Sequence, residues 1–258
     1  MTDWNKKLTN LIRQNDGTLW GNWSMVAQVN LGDYGVINPE TAEFTRLGNI
    51  AELYPDFFST GSKSTGDFFY KTSGVQKHSV TEKISGEFLE PDTETIISGG
   101  IKFSWNFSQS NDMLVNFTAV RSDSLKPVQN LLRVDVFKTL LQAAGTAGKR
   151  SNSGGILPGF VVVTDVVKSA GGFMVASESS NQKFSIGGEA KATSALVEGL
   201  AGDVKAGYSF TESTDSIVKY IFPSPNKSVM RNEQAPQAHI AFRALSFNDK
   251  ALLTNWKG

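Results

Sequence analysis

Between Ile101 and Val120 the chain alternates apolar and polar residues with a period of two. Ile101, Phe103, Trp105 and Phe107 interleave with Lys102, Ser104, Asn106 and Ser108. After Gln109-Ser110-Asn111-Asp112, a second run sets Met113, Val115, Phe117 and Ala119 on one parity. Successive side chains of a strand point to opposite faces, so this spacing predicts two amphipathic strands joined by a polar turn. Such a hairpin suits a soluble core, and it equally suits a wall with lipid on one side and water on the other.

The rest of the chain reads mostly as sheet. Leu19–Val29 is expected to be a strand with tryptophans in its first half, and Gly32–Ile50 a tight meander turning at Asn38-Pro39. Residues 59–66 read as a loop by composition. Phe68-Phe69-Tyr70, Val75–Val80 and Ile84–Leu89 read as strand pieces. Further strands are expected at Phe160–Val167 and Phe173–Ala176, joined at Gly171-Gly172, and at Ile217–Phe222 and His239–Phe247, with Pro223–Pro236 as a loop. Over 184–210 an extended reading is set against a helix in the alanine-rich stretch Ala190–Ala201. Gly199, Gly202 and Gly207 each cost a helix about 1 kcal/mol.

Two helices stand out. Trp4, Leu8, Leu11 and Ile12 fall at helical spacing with Lys6, Lys7 and Arg13 among them, which predicts an amphipathic helix over about 3–14. Its plain role is a terminal helix docked on the core; its sharper one is a basic, Trp-anchored helix against acidic headgroups. Val128–Ala144 carries a broad apolar stripe, with Pro127 near its start and Gly145 just past its end. No repeat or linker separates two cores, so the expectation is one α+β domain over 1–258: a twisted, mainly antiparallel sheet with a few packed helices.

Composition bounds the chemistry. With 25 basic and 25 acidic residues in 258, no basic footprint for nucleic acid exists. The absence of cysteine removes disulfides and thiolate chemistry and fits an intracellular chain. No secretory leader and no run of about 18 apolar residues is visible, so a membrane role would fall to strands or surface helices. His78 and His239 are the only imidazoles. Neither belongs to a nucleophile elbow or a zinc spacing, so no catalytic residue, metal or cofactor is assigned and an enzyme is not expected. The loop Gly145–Ser151 lacks the glycine spacing of a phosphate cradle, and Arg150 stands where Ser or Thr must follow the lysine.

The order of parts is a basic helix at Trp4–Arg13, the Gly32-Asp33-Tyr34-Gly35 meander, the Ile101–Val120 pair, a helix, and a second alternating region at Phe184–Phe222. It closes on the strand Ala238–Leu245. This arrangement resembles the pore-forming domain of gasdermins, in particular the fungal gasdermin-like regulators of cell death and allorecognition. The resemblance implies a protein that is cytoplasmic at rest and acts at the cell membrane. It would bind an acidic phospholipid membrane, oligomerise with copies of itself or with a related allelic or paralogous chain, and insert segments near 95–120 and 173–222 as a transmembrane β-barrel. Trp4, Lys6, Lys7 and Arg13 would then contact lipid. Phe103, Trp105, Phe107, Met113, Val115, Phe117, Leu196, Leu200, Val204, Tyr208 and Phe210 would enter the membrane. A spanning strand needs about 9–11 residues, and Ile101–Phe107 reaches that only if Thr95–Gly100 extends it. On this reading the 258 residues are expected to leave no room for the large inhibitory domain of animal gasdermins, and they hold no cysteine for the lipidation of bacterial ones, so control would fall to a short tail or a partner. Two readings stand beside this one: a soluble β-rich interaction or ligand-binding module without membrane activity, and a hydrolase using His78 or His239.

Overall fold

The computed structural model describes residues 3–23, 25, 28–78, 84–89, 96–189, 208–213, 216–222 and 237–258. Helix α1 spans Trp4–Arg13 and is followed by strands β1 (Leu19–Gly21), β2 (Asp33–Ile37) and β3 (Phe44–Asn49). A short α2 (Ile50–Leu53) precedes β4 (Ser59–Lys71), β5 (Val75–His78), β6 (Ile84–Leu89), β7 (Ile96–Phe107) and β8 (Met113–Lys126). After a 3-10 turn at Val128–Leu132 come α3 (Val134–Thr146), β9 (Phe160–Ser169), β10 (Gly171–Ser177) and β11 (Gln182–Glu189). The chain closes with β12 (Tyr208–Ser213), β13 (Ile217–Phe222), β14 (Ala238–Asn248) and β15 (Ala251–Leu253). Among the described residues the strand registers are antiparallel, and the fold is α+β as the pattern predicts.

The described residues gather into two compact units. The first holds Met1–Ser64, Arg121–Lys168 and His239–Gly258; the second holds Thr65–Val120 and Ser169–Ala238. In the first unit, β9 is buried nearly throughout and neighbours β14, which pairs β1 and β15. Alternation in β9 sends Phe160 and Val162 to one core cluster with Val136, Leu140, Leu245 and Phe247, where α3 covers the sheet. It sends Val161 and Val163 to another with Trp20, Val29, Ile37, Phe242 and Ala244, which Val166 joins from the other parity. Because both faces are covered, the strand reads as a continuous apolar run.

In the second unit β7 pairs β5, β6 and β11, and β11 pairs β12. Strand β8 pairs β10 here, with Met174 opposite Val115 and Val175 opposite Leu114, and β10 pairs β13. The two layers share one core of Val75, Phe103, Trp105, Phe107, Leu114, Phe173, Val175, Phe184, Ile186 and Ile217.

Several expectations are corrected. The strands of Ile101–Val120 form, but they are not a hairpin: β7 and β8 sit in different sheets whose faces stack. Consequently the β8 residue that joins the Trp105 cluster is Leu114, from the parity opposite to Met113, Val115 and Phe117. Those three are also fully buried, so this half of β8 is covered on both faces instead of being amphipathic. Residues 59–66 are not a loop but the start of β4. Their small polar side chains suit a strand beside β8, with Ser62 donating to Asp123 (2.7 Å) and Thr65 to the Val120 carbonyl (3.2 Å). The strand expected at Leu19–Val29 shrinks to Leu19–Gly21, and the helix expected at Val128–Ala144 starts at Val134, because Arg133 is extended. Gly145 lies inside its last turn; the left-handed residue after the helix is Gly148 (φ +67°).

Candidate functional site

Two places carry the residues singled out by sequence, one in each unit. In the first unit, Asp3 caps α1 by accepting from the Lys6 amide (3.3 Å). The helix buries Leu8, Leu11 and Ile12, together with Thr9, whose hydroxyl accepts from the Gly21 amide (2.9 Å). A Cβ on Gly21 would stand 2.5 Å from Leu8 Cγ, so only glycine lets β1 pass this close to the helix. Asn5 Oδ1 accepts from the Trp23 amide (2.8 Å) and fixes the other end.

The named cations of α1 are not equivalent. Trp4 stacks on Trp23 with centroids 5.5 Å apart, and Lys7 Nζ lies 4.8 Å from the Trp4 ring centre. Burial lowers the Lys7 ammonium pKa, partly offset by Asp3. Lys6 donates to the Pro39 carbonyl from a half-buried position. Arg13 turns inward: Nε donates to the Leu19 carbonyl (3.0 Å), Nη1 to the Lys257 carbonyl (2.8 Å), and the guanidinium lies 4.0 Å from the Trp20 ring centre. Its Nη2 is buried without a hydrogen-bond partner, and burial pulls its pKa down. Trp256 packs on the same Trp20 at 5.4 Å. Helix periodicity alone puts Arg13 on the face of Lys6, seven residues earlier; the part played by Trp20, Trp256 and Lys257 was invisible to it. A cavity of about 290 Å³ opens beside this helix, lined by Asn5, Asn22, Val29, Phe44, Arg46 and Phe242 among others.

In the second unit, β7 runs from Ile96, so with 12 residues it meets the length that Ile101–Phe107 lacked. Its register on β11 sets Phe103 opposite Ile186, Ser104 opposite Ser185, Trp105 opposite Phe184 and Asn106 opposite Lys183. One face is therefore aromatic: Trp105 lies 5.8 Å from Phe184 and 5.5 Å from Phe173, ring to ring. The other carries a Ser104–Ser185 hydroxyl pair at 2.8 Å, half-buried Asn106 and exposed Lys183. Phe103, Trp105 and Phe107 are brought together, and Met113, Val115 and Phe117 are buried elsewhere. Register places Phe210 opposite Ile186 and Tyr208 opposite Gly188. Leu196, Leu200 and Val204 lie outside the described residues, as does the expected loop 223–236.

The histidines sit apart. His78 ends β5, opposite Ser104 in register. His239 Nδ1 lies 2.7 Å from the Val29 carbonyl, which makes that nitrogen the protonated one; burial pulls its pKa down against that bond. Among the described residues no three His, Asp or Glu side chains gather closely enough to hold a metal. No helix among them is long and apolar enough to cross a membrane, which says nothing of crossing by strands. Compared with known proteins, the chain matches no family model and no curated protein.

Proposed function

We propose that this chain is a gasdermin-like pore-forming protein, which binds acidic membranes through α1, assembles with further copies or a related chain, and inserts strands as a β-barrel. One observation carries the reading: the β7–β11 pair has an apolar face of Phe103, Trp105, Phe107, Phe184 and Ile186 and a polar face of Ser104, Asn106, Lys183 and Ser185. A barrel wall needs that division, lipid-facing and lumen-facing residues alternating along strands whose backbone groups pair with one another. At rest the aromatic face is covered by Leu114, Phe173 and Val175, so insertion requires exchanging that cover for lipid.

The helix supplies the first contact in this reading. Trp4 and Lys7 form a cation–π pair of the kind suited to a headgroup boundary, and Lys6 adds charge beside it. Arg13 joins them only by giving up the Leu19 and Lys257 carbonyls and the Trp20 ring, so residues 256 and 257, which pack on Trp20 and accept from Arg13, would be part of what restrains it.

The test is dye release from phosphatidylserine or cardiolipin vesicles against neutral ones, with the full chain and with residues 254–258 removed. Leakage from acidic vesicles only, lost in the double variant Lys6→Glu/Lys7→Glu, is expected. Quenching of tryptophan fluorescence by brominated lipid should fall in Trp105→Phe. Intact vesicles with both forms of the protein would reject the reading in favour of a soluble binding module.

A further inference from the structure

The loop that leaves α3 is held by one carboxylate. Ser153 donates to Asp249 Oδ1 at 2.6 Å, and the Ser151 hydroxyl, 3.0 Å from the same oxygen and 2.8 Å from Ser153 Oγ, shares its one proton between those two acceptors. Backbone bonds run both ways between Ile156 and Asp249 (2.9 and 3.0 Å), and Asp249 itself is left-handed at φ +58°. The approach is so close that a Cβ on Gly155 would lie 2.0 Å from Asp249 Oδ1, which only glycine avoids. Neither serine nor Asp249 serves the membrane reading, and the clasp is at the surface.

Sequence adds a second fact. Arginine precedes a serine by three residues at Arg121–Ser124, Arg150–Ser153 and Arg243–Ser246, a charge pattern that arginine-directed serine kinases read through acidic pockets. The structure separates the three. Ser246 is fully buried in β14 and donates to the Phe160 carbonyl. Ser124 is half-buried within β8, with its hydroxyl on Asp165 (2.7 Å). Ser153 alone of these is exposed, in a tight turn that follows exposed Arg150 and is closed by Ser151 N–H on the Gly155 carbonyl (2.9 Å), so only this turn, and none of the strands β1–β15, has to open for it to enter a kinase groove.

We propose that Ser153 is a phosphorylation site for an arginine-directed serine kinase, and that its phosphate opens the Asp249 clasp. In the transfer Ser153 Oγ bonds to the γ-phosphorus of ATP as the bond to the β–γ bridging oxygen breaks. ADP leaves, and the hydroxyl proton passes to the kinase's catalytic carboxylate. The serine changes from a donor at 2.6 Å to a group of charge about −1.5 to −2 facing a carboxylate. Its hydrogen bond is lost and repulsion replaces it, so the loop lifts from Asp249 and the amides of Ile156 and Asp249 lose protection.

The experiment incubates the full chain with ATP and the catalytic domain of an arginine-directed kinase, maps the phosphate by mass spectrometry, and follows amide exchange at Ile156 and Asp249. One phosphate on Ser153 is expected, with exchange at both amides about tenfold faster. Ser153→Ala should abolish incorporation while keeping its circular dichroism. Arg150→Ala, which leaves the clasp residues in place, should lower incorporation efficiency about tenfold. A folded chain that takes no phosphate, or takes it on Ser151, Ser124 or elsewhere instead, overturns the site. Phosphate on Ser153 with unchanged exchange overturns the switch.

Discussion

The sheets built on β9 and on β7 obey the same alternation and reach opposite ends. In β9 the two parities enter two different cores, Phe160 and Val162 under α3 and Val161 and Val163 against Trp20 and Phe242. Among the described side chains of β7, Phe103, Trp105 and Phe107 enter a core, and Ser104 and Asn106 turn to a polar face. A continuous apolar run such as Phe160–Val163 specifies two covered faces, whereas alternation fixes only which face must be covered: the second face of β7 stays polar, and that of β8 is buried as well. A sheet covered once can trade its cover for another apolar medium; a sheet covered twice would have to lose both layers.

The comparison can be broken by substitution. The largest effect is expected at single large rings: Trp105→Ala and Phe160→Ala should each cost about 3–5 kcal/mol in urea unfolding, since both leave cavities in closed cores. Next come adjacent pairs. Val161→Ala and Val162→Ala should each cost about 1–3 kcal/mol, because neighbours on opposite faces of β9 are equally buried. If one is silent, β9 is covered on one side only.

Acid should sharpen the contrast further. His239 lies on β14 of the doubly covered sheet, and burial holds its imidazole below the ordinary value of about 6.5 despite the Val29 hydrogen bond. A lowered folded value means that the unfolded chain binds the extra proton first. The stabilisation is therefore whole above about pH 6.5 and is lost as pH falls from there through the folded value. His239→Gln should flatten this part of the urea-midpoint profile between pH 7.5 and 5.5; an unchanged slope assigns the acid response to other groups. The smallest effect belongs to β7's polar parity, where Asn106→Ala should stay within about 0.5 kcal/mol of the parent. A loss as large as that of Trp105→Ala would mean that β7 is covered twice as well.

Much of the fold was legible because local patterns are strong where one face is buried. The α1 stripe of Leu8, Leu11 and Ile12, the β2–β3 meander and the strands at Phe160, Phe173 and Ile217 needed nothing beyond periodicity. The β4 strand was missed because Ser, Thr and Gly signal a loop unless a neighbouring strand gives their backbone and hydroxyls partners. Within the candidate site, the aromatic face of β7 and the Trp4–Lys7 end of α1 were readable. The inward turn of Arg13 was not, because the carbonyl it reaches lies 244 residues away.

By itself, then, the sequence determined that α1, the β2–β3 meander and the strands at Phe160, Phe173 and Ile217 exist, and which parity of β7 is apolar, since these follow from spacing along the chain. Only tertiary structure decided that β7 and β8 stack in separate sheets instead of pairing, that Leu114 and not Met113 meets Trp105, and that Ser153 is the arginine-preceded serine left open. Strand partners and burial are set by packing between distant segments, and a period of two is the same for a hairpin as for two facing sheets.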